Sequence, residues 1–150
     1  MAIGRGKLTR EFENEDVILR SRLLICDRSA LLKHLRQRFS LNWHGSHGAA
    51  HWARVRKNGL LFAAATGANM SVVELFAFFH DSCRINEHTY HDHGKRGAEL
   101  ALKLHGRFFE ANGAEMDLLV EACAGHSDVF TKAGHRARFR PWVELFLGIR

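Results

Sequence analysis

SVVELFAFFHD, residues 71–81, is the most apolar run in the chain, and it ends on a histidine and an aspartate. Its body, VVELFAFF (72–79), is apolar nearly all round, the pattern of a helix enclosed by other helices rather than lying on a surface. Ser71 and Glu74 have the S-x-x-E spacing of a capping box and place the helix start there. The pair at the other end is expensive to bury, because a carboxylate and an imidazole in an apolar setting need a partner. A divalent cation is one such partner, since it accepts both nitrogen and carboxylate oxygen. Adjacent residues project about 100° apart around a helix. His80 and Asp81 can therefore share one centre only if the helix frays there; otherwise the aspartate spans two ions. A further ligand must come from elsewhere, and His51 on the preceding predicted helix is the nearest candidate. The plainer alternative is that His80 caps the helix C-terminus and Asp81 is solvated.

The rest of the chain points to an all-α fold, a compact bundle of about five helices. Apolar residues recur at helical spacing, and β-branched runs are scarce. Asp27 is a suitable N-cap for SALLKHLRQRF (29–39), which sets Leu31, Leu32, Leu35 and Phe39 on one face. SLNWHGS (40–46) is loop, and a second helix is predicted from about His47 to Thr66, with Gly67 as its C-terminal glycine cap. After the central helix, DSCRINEHTYHD (81–92) is polar loop. A fourth helix is predicted from about His93 to Ala111. A fifth, from about Glu115 to Ala124, turns Met116, Leu118, Leu119 and Cys123 inward.

Composition bounds the function classes. At 150 residues the chain has the length of one domain. We read 1–45 as an N-terminal helical flank, 46–131 as the core and 132–150 as a basic tail, all within that domain. No stretch approaches 18 apolar residues, which excludes a transmembrane helix, and the acidic turn after residue 10 does not fit an export signal. Three cysteines without CxxC spacing suit a reducing cytoplasm. The net charge of +6 is unevenly placed: residues 1–45 carry +4, 46–131 carry −2 and 132–150 carry +4. A nucleic-acid role is thereby disfavoured, since the basic excess sits in the flanks without a recognisable motif. Histidine concentrates where the basic charge does not, with seven of the eleven between 44 and 93.

Four ordered blocks sharpen this picture: SHGAAHWARVRKNG (46–59), ELFAFFHDSCRINE (74–87), HGKRGAELA (93–101) and EACAGHSD (121–128). Together they resemble the HD-domain superfamily of metal-dependent phosphohydrolases. More closely, they resemble a bacterial branch with HGxxHWxRV, FHDSxRxNE, HGxRGAELA and a later GH[ST]D. The resemblance spans about residues 44–131. It implies an all-α fold with a metal centre inside the bundle and hydrolysis of a phosphate ester or nucleotide. Carried over by position, the metal ligands fall on His51, His80 and Asp81. His93 and His126 match histidines that serve a second metal or the substrate phosphate. The metal is a divalent cation, with manganese, iron, nickel, cobalt, zinc and magnesium all compatible with such donors. It would lower the pKa of bound water towards about 7 and supply hydroxide, with Asp81 orienting that water. Arg54, Arg84 and Arg96 are the candidate phosphate-binding cations, through their planar forks. The implied partner is a small phosphorylated substrate or nucleotide rather than a membrane, with room for a homo-oligomer.

One departure is plain. Members of this branch complete the ligand set with an aspartate in a segment resembling WDADRLD, and nothing of that kind follows Thr131. The tail KAGHRARFRPWVELFLGIR has no aspartate, and Glu144 is its single acid. We read this as a change of reading frame near residue 131, checked by translating the other frames beyond that codon. It keeps a rival in play, a non-catalytic metal or nucleotide sensor, with Asp128 as a substitute ligand. His47, one turn before His51, is expected to hydrogen bond near the site, and Trp52 to be core or pocket wall.

Overall fold

The computed structural model describes residues 27–88 and 92–126, and in them the chain forms five α-helices and no strand. In chain order these are α1 (Arg28–Arg38), α2 (Ala49–Thr66), α3 (Met70–Phe79), α4 (His93–Leu104) and α5 (Gly113–Gly125). The all-α expectation is met. None of the described helices is long and apolar enough to cross a membrane. The tail from Ser127 onward, with Asp128, and the first 26 residues lie outside the described part, as does His91.

α3 is the axis of the bundle. Every residue from Val73 to Phe79 is buried, and the helix packs against α2, α4 and α5. Phe79 is completely enclosed; burying a side chain of that size contributes about 1.5–3 kcal/mol. The start of α3 differs from expectation. Asn69 is the N-cap, and its side-chain oxygen accepts from the backbone N–H groups of Ser71 and Val72. Glu74 does not reach back to the cap. It is buried and bonded by two guanidinium groups, Arg28 from α1 and Arg56 from α2. A buried carboxylate between permanent cations is better satisfied than one shared with a backbone N–H already held by Asn69. The reciprocal capping box is found on α5 instead, between Asn112 and Glu115.

α1 is capped by Asp27 as expected and inserts Leu31 and Leu35 into the core. Phe39 follows the helix and meets Trp52 edge-on, 5.3 Å between ring centroids, with Trp43 against both. Trp52 is therefore core. α2 ends at Gly67 in the left-handed conformation, as predicted. α4 is shorter than predicted: it stops at Leu104 rather than near Ala111. His105 turns to extended backbone, and the N–H of Gly106 donates to the carbonyl of Phe109. That turn drives Phe109 into the core beside Phe79, an apolar gain that a continued helix would forfeit. On α5, Met116, Leu119 and Cys123 face inward, but Leu118 is 53% exposed and does not.

Two glycines of α4 set its approach to the helices around it. A Cβ on Gly97 would lie 2.4 Å from the carbonyl oxygen of Phe79, and one on Gly94 would lie 2.3 Å from that of Cys123. Without side chains there, the N-terminal half of α4 slides against the ends of α3 and α5. That contact brings His93 and His126 to the residues just beyond Phe79.

Candidate metal centre

The centre forms where α3 gives out. The helix tightens after Phe79: the N–H of Ser82 donates to the carbonyl of Phe79, and that of Arg84 to the carbonyl of Asp81, both three residues back. The tighter turn swings Asp81 round until its Oδ2 is 3.4 Å from Nε2 of His80. His51, from the first turn of α2, reaches the same point. Its Nε2 lies 3.1 Å from His80 Nε2 and 3.2 Å from Asp81 Oδ2. His80 and Asp81 are buried, while the His51 side chain keeps 24% of its surface exposed and forms the open side.

The chemistry of these donors fits a cation. His80 Nδ1 lies 3.2 Å from the carbonyl of Phe76 and 3.1 Å from that of Ala77, and carbonyls only accept. The proton therefore sits on Nδ1, and Nε2 presents a bare lone pair to the centre. Burial above all pushes the His80 pKa down to about 3. His126 and His51 add to that, while Asp81 and the Phe76 carbonyl oppose it, so the ring is neutral at ordinary pH. For Asp81 burial works the other way, but the close contacts of His126, His51, His80 and His93 outweigh it. The carboxyl is held well below its ordinary range. The His80 lone pair, a carboxylate oxygen and a second imidazole nitrogen, from His51, thus converge, and one N–H can satisfy at most part of the set. Ligands about 2.1 Å from a cation are separated by about 3.0 Å at octahedral cis positions and about 3.4 Å at tetrahedral ones. The observed separations of 3.1–3.4 Å span that interval.

Asp81 also has a second flank. Its Oδ1 is 3.2 Å from Nε2 of His93 and 3.6 Å from Nε2 of His126, and those two nitrogens are 3.0 Å apart. The sequence left two options for His80 and Asp81, one shared centre or an aspartate facing two ways. The structure realises both geometries, with a different oxygen in each.

The predicted cations fall in three different places. Arg84 is buried and turned inward, its Nη1 3.3 Å from Asp81 Oδ1 and 3.1 Å from His93 Nε2. Arg54 is exposed on α2, one turn beyond His51. Arg96, expected to flank the centre, is exposed and instead lines a cleft of about 200 Å³ with Arg38, Ser82, Cys83 and Lys103. On α4 the His93 face is buried while Arg96, three residues on, points outward. His47 Nδ1 is in hydrogen-bond contact with the Glu87 carboxylate from the 81–92 loop, and its ring lies 5.7 Å from that of His51. Glu87 had not been singled out, nor had Arg28 and Arg56. The sequence carried a signal for the last two, because an acid inside an otherwise apolar helix requires a cation from a neighbour. No family model matches the chain, nor does any curated protein or solved structure.

Proposed function

We propose that this chain is a metal-dependent phosphohydrolase of the HD type, acting on a phosphate ester or nucleotide through a divalent cation held by His51, His80 and Asp81. The observation that carries the reading is the convergence of the three ligand atoms, with the His80 lone pair locked inward by the Phe76 and Ala77 carbonyls. A divalent cation bound there acidifies water towards a pKa of about 7 and neutralises charge developing on phosphoryl oxygens. The protein supplies the rest. His80 and Asp81, sealed behind α3, fix the donor atoms and keep bulk water from the inner side. His51 faces the opening, so substrate approaches along the N-terminal turn of α2. Arg54, exposed one turn further on, is available there to a phosphoryl oxygen. Asp81, anionic and held on its Oδ1 side by Arg84, orients a water on the side its Oδ2 faces.

A second reading, a metal or nucleotide sensor without turnover, is favoured by the three ligand atoms that the described residues bring to the His51–His80 side, with no further carboxylate among them. Metal content and hydrolysis of a generic phosphate ester, measured across manganese, iron, nickel, cobalt, zinc and magnesium, separate the two. Bound metal with turnover supports the hydrolase, and bound metal without turnover on any ester or nucleotide supports the sensor. Metal content unchanged in a His80→Ala/Asp81→Ala variant would remove the basis of both.

A further inference from the structure

The Oδ1 flank of Asp81 has the same kind of donors as the Oδ2 flank, with one difference. His126 Nδ1 lies 2.7 Å from the carbonyl of Cys123 and must donate to it, so its Nε2 presents a lone pair inward. Arg84 Nη1 can only donate, so His93 Nε2, 3.1 Å away, must be its acceptor and also presents a lone pair. Asp81 Oδ1, His93 Nε2 and His126 Nε2 therefore form a second set of three acceptors, close enough together to hold an ion. This set already contains a positive charge. The Arg84 guanidinium donates through Nη1 to two of its three members and is anchored through Nη2 to the carbonyl of His88 at 2.9 Å. The side chain is nine-tenths buried and a guanidinium does not deprotonate in proteins, so its charge is permanent. On the Oδ2 flank, by contrast, the groups facing the carboxylate are the imidazoles of His51 and His80.

We propose that Arg84 is the built-in cation of the Asp81–His93–His126 set, so that the centre takes one divalent ion, on the His51–His80 side, and not two. The inference rests on the metal-centre reading given above and specifies its stoichiometry. A divalent ion on the Oδ1 flank would lie against a like charge and would have to push a buried guanidinium away from its acceptors. Arg84 thereby does electrostatically what a second ion would do, without exchanging with solvent.

The test is metal content of the full-length chain, stripped with chelator, loaded with excess Mn²⁺ alone and desalted, with calorimetric titration alongside. Wild type is expected to hold one Mn²⁺ per chain, Arg84→Lys one, and Arg84→Met two, the second ion replacing the missing charge. His93→Ala is expected to keep one ion, with affinity within about tenfold of wild type, because the ion sits on the other oxygen. Two ions in wild type would overturn this inference and leave the metal-centre reading standing. No ion in wild type would overturn both. One ion in a folded Arg84→Met chain, checked by circular dichroism, would overturn this inference alone. Should Arg84→Met fail to fold, wild type and His93→Ala still decide: two ions falling to one marks a dinuclear centre, and one ion in both marks the arrangement proposed.

Discussion

Glu74 and Asp81 are both buried carboxylates at the same depth, the first within α3 and the second just beyond its end, and the chain treats them in opposite ways. Glu74 is met by two guanidinium groups, Arg28 and Arg56, whose charges are fixed. Asp81 is met by four imidazoles and a single guanidinium. An acid surrounded by permanent cations is electrically complete and ties helices together. An acid with a guanidinium on one oxygen and imidazoles on the other, one of which turns a lone pair towards it, is completed on that second side only when a cation joins them. The difference separates a structural ion pair from a group that could hold a metal ion, though both are buried acids.

The comparison can be broken by experiment, and the largest effect belongs to the structural acid. Glu74→Gln leaves two guanidinium groups facing a neutral amide and is expected to lower unfolding stability by about 3 kcal/mol, read as a shifted urea midpoint. Metal content should stay at one ion per chain; a parallel fall in metal would erase the distinction drawn here. Next, Asp81→Asn is expected to weaken metal binding about 100-fold or more, because a ligand charge is lost rather than a supporting hydrogen bond. Affinity within a few-fold of wild type by calorimetry would argue that the ion is held elsewhere.

The third effect is a pH dependence of the metal-free chain. Folded His80 titrates near 3, against 6.5 ordinarily, so between those values the unfolded chain binds the extra proton. Stability is therefore complete above about pH 6.5 and falls as the pH drops towards 3, by at most about 1.4 kcal/mol per pH unit. Asp81 acts in the same direction, because its lowered carboxyl loses its contribution as the pH falls below the ordinary 3.8. Urea midpoints at pH 7.5, 6 and 5 in the presence of chelator test this, and a flat profile would contradict the neutral, buried ring. The smallest effect is Arg28→Ala, expected to cost about 1 kcal/mol or less, since Arg56 still faces Glu74 and the Arg28 side chain is 36% exposed. A loss as large as that of Glu74→Gln would mean that Arg56 contributes nothing.

Much of this was legible residue by residue. The unbroken apolar run at 72–79 announced a central helix, because a helix without a polar face has to be covered on all sides. Asp27 and Gly67 marked their helix ends through local backbone chemistry, which needs no tertiary partner. The Ser71–Glu74 spacing misled, because a buried guanidinium pair competes for the same carboxylate more strongly than a cap does. The end of α4 was missed for a similar reason: helical spacing continues past Leu104, but the core claims Phe109 by a turn.

The sequence by itself determined the helical class and the central helix, and it singled out His51, His80 and Asp81, since these readings depend on residue type and order along the chain. The tertiary structure alone decided which oxygen of Asp81 faces which histidines, that Arg84 turns inward while Arg96 turns out, and that Glu74 is tied to α1 and α2. Those outcomes depend on how closely α4 and α5 approach the end of α3. That distance is set by Gly94 and Gly97 against backbone atoms remote in sequence, where no periodicity reports it.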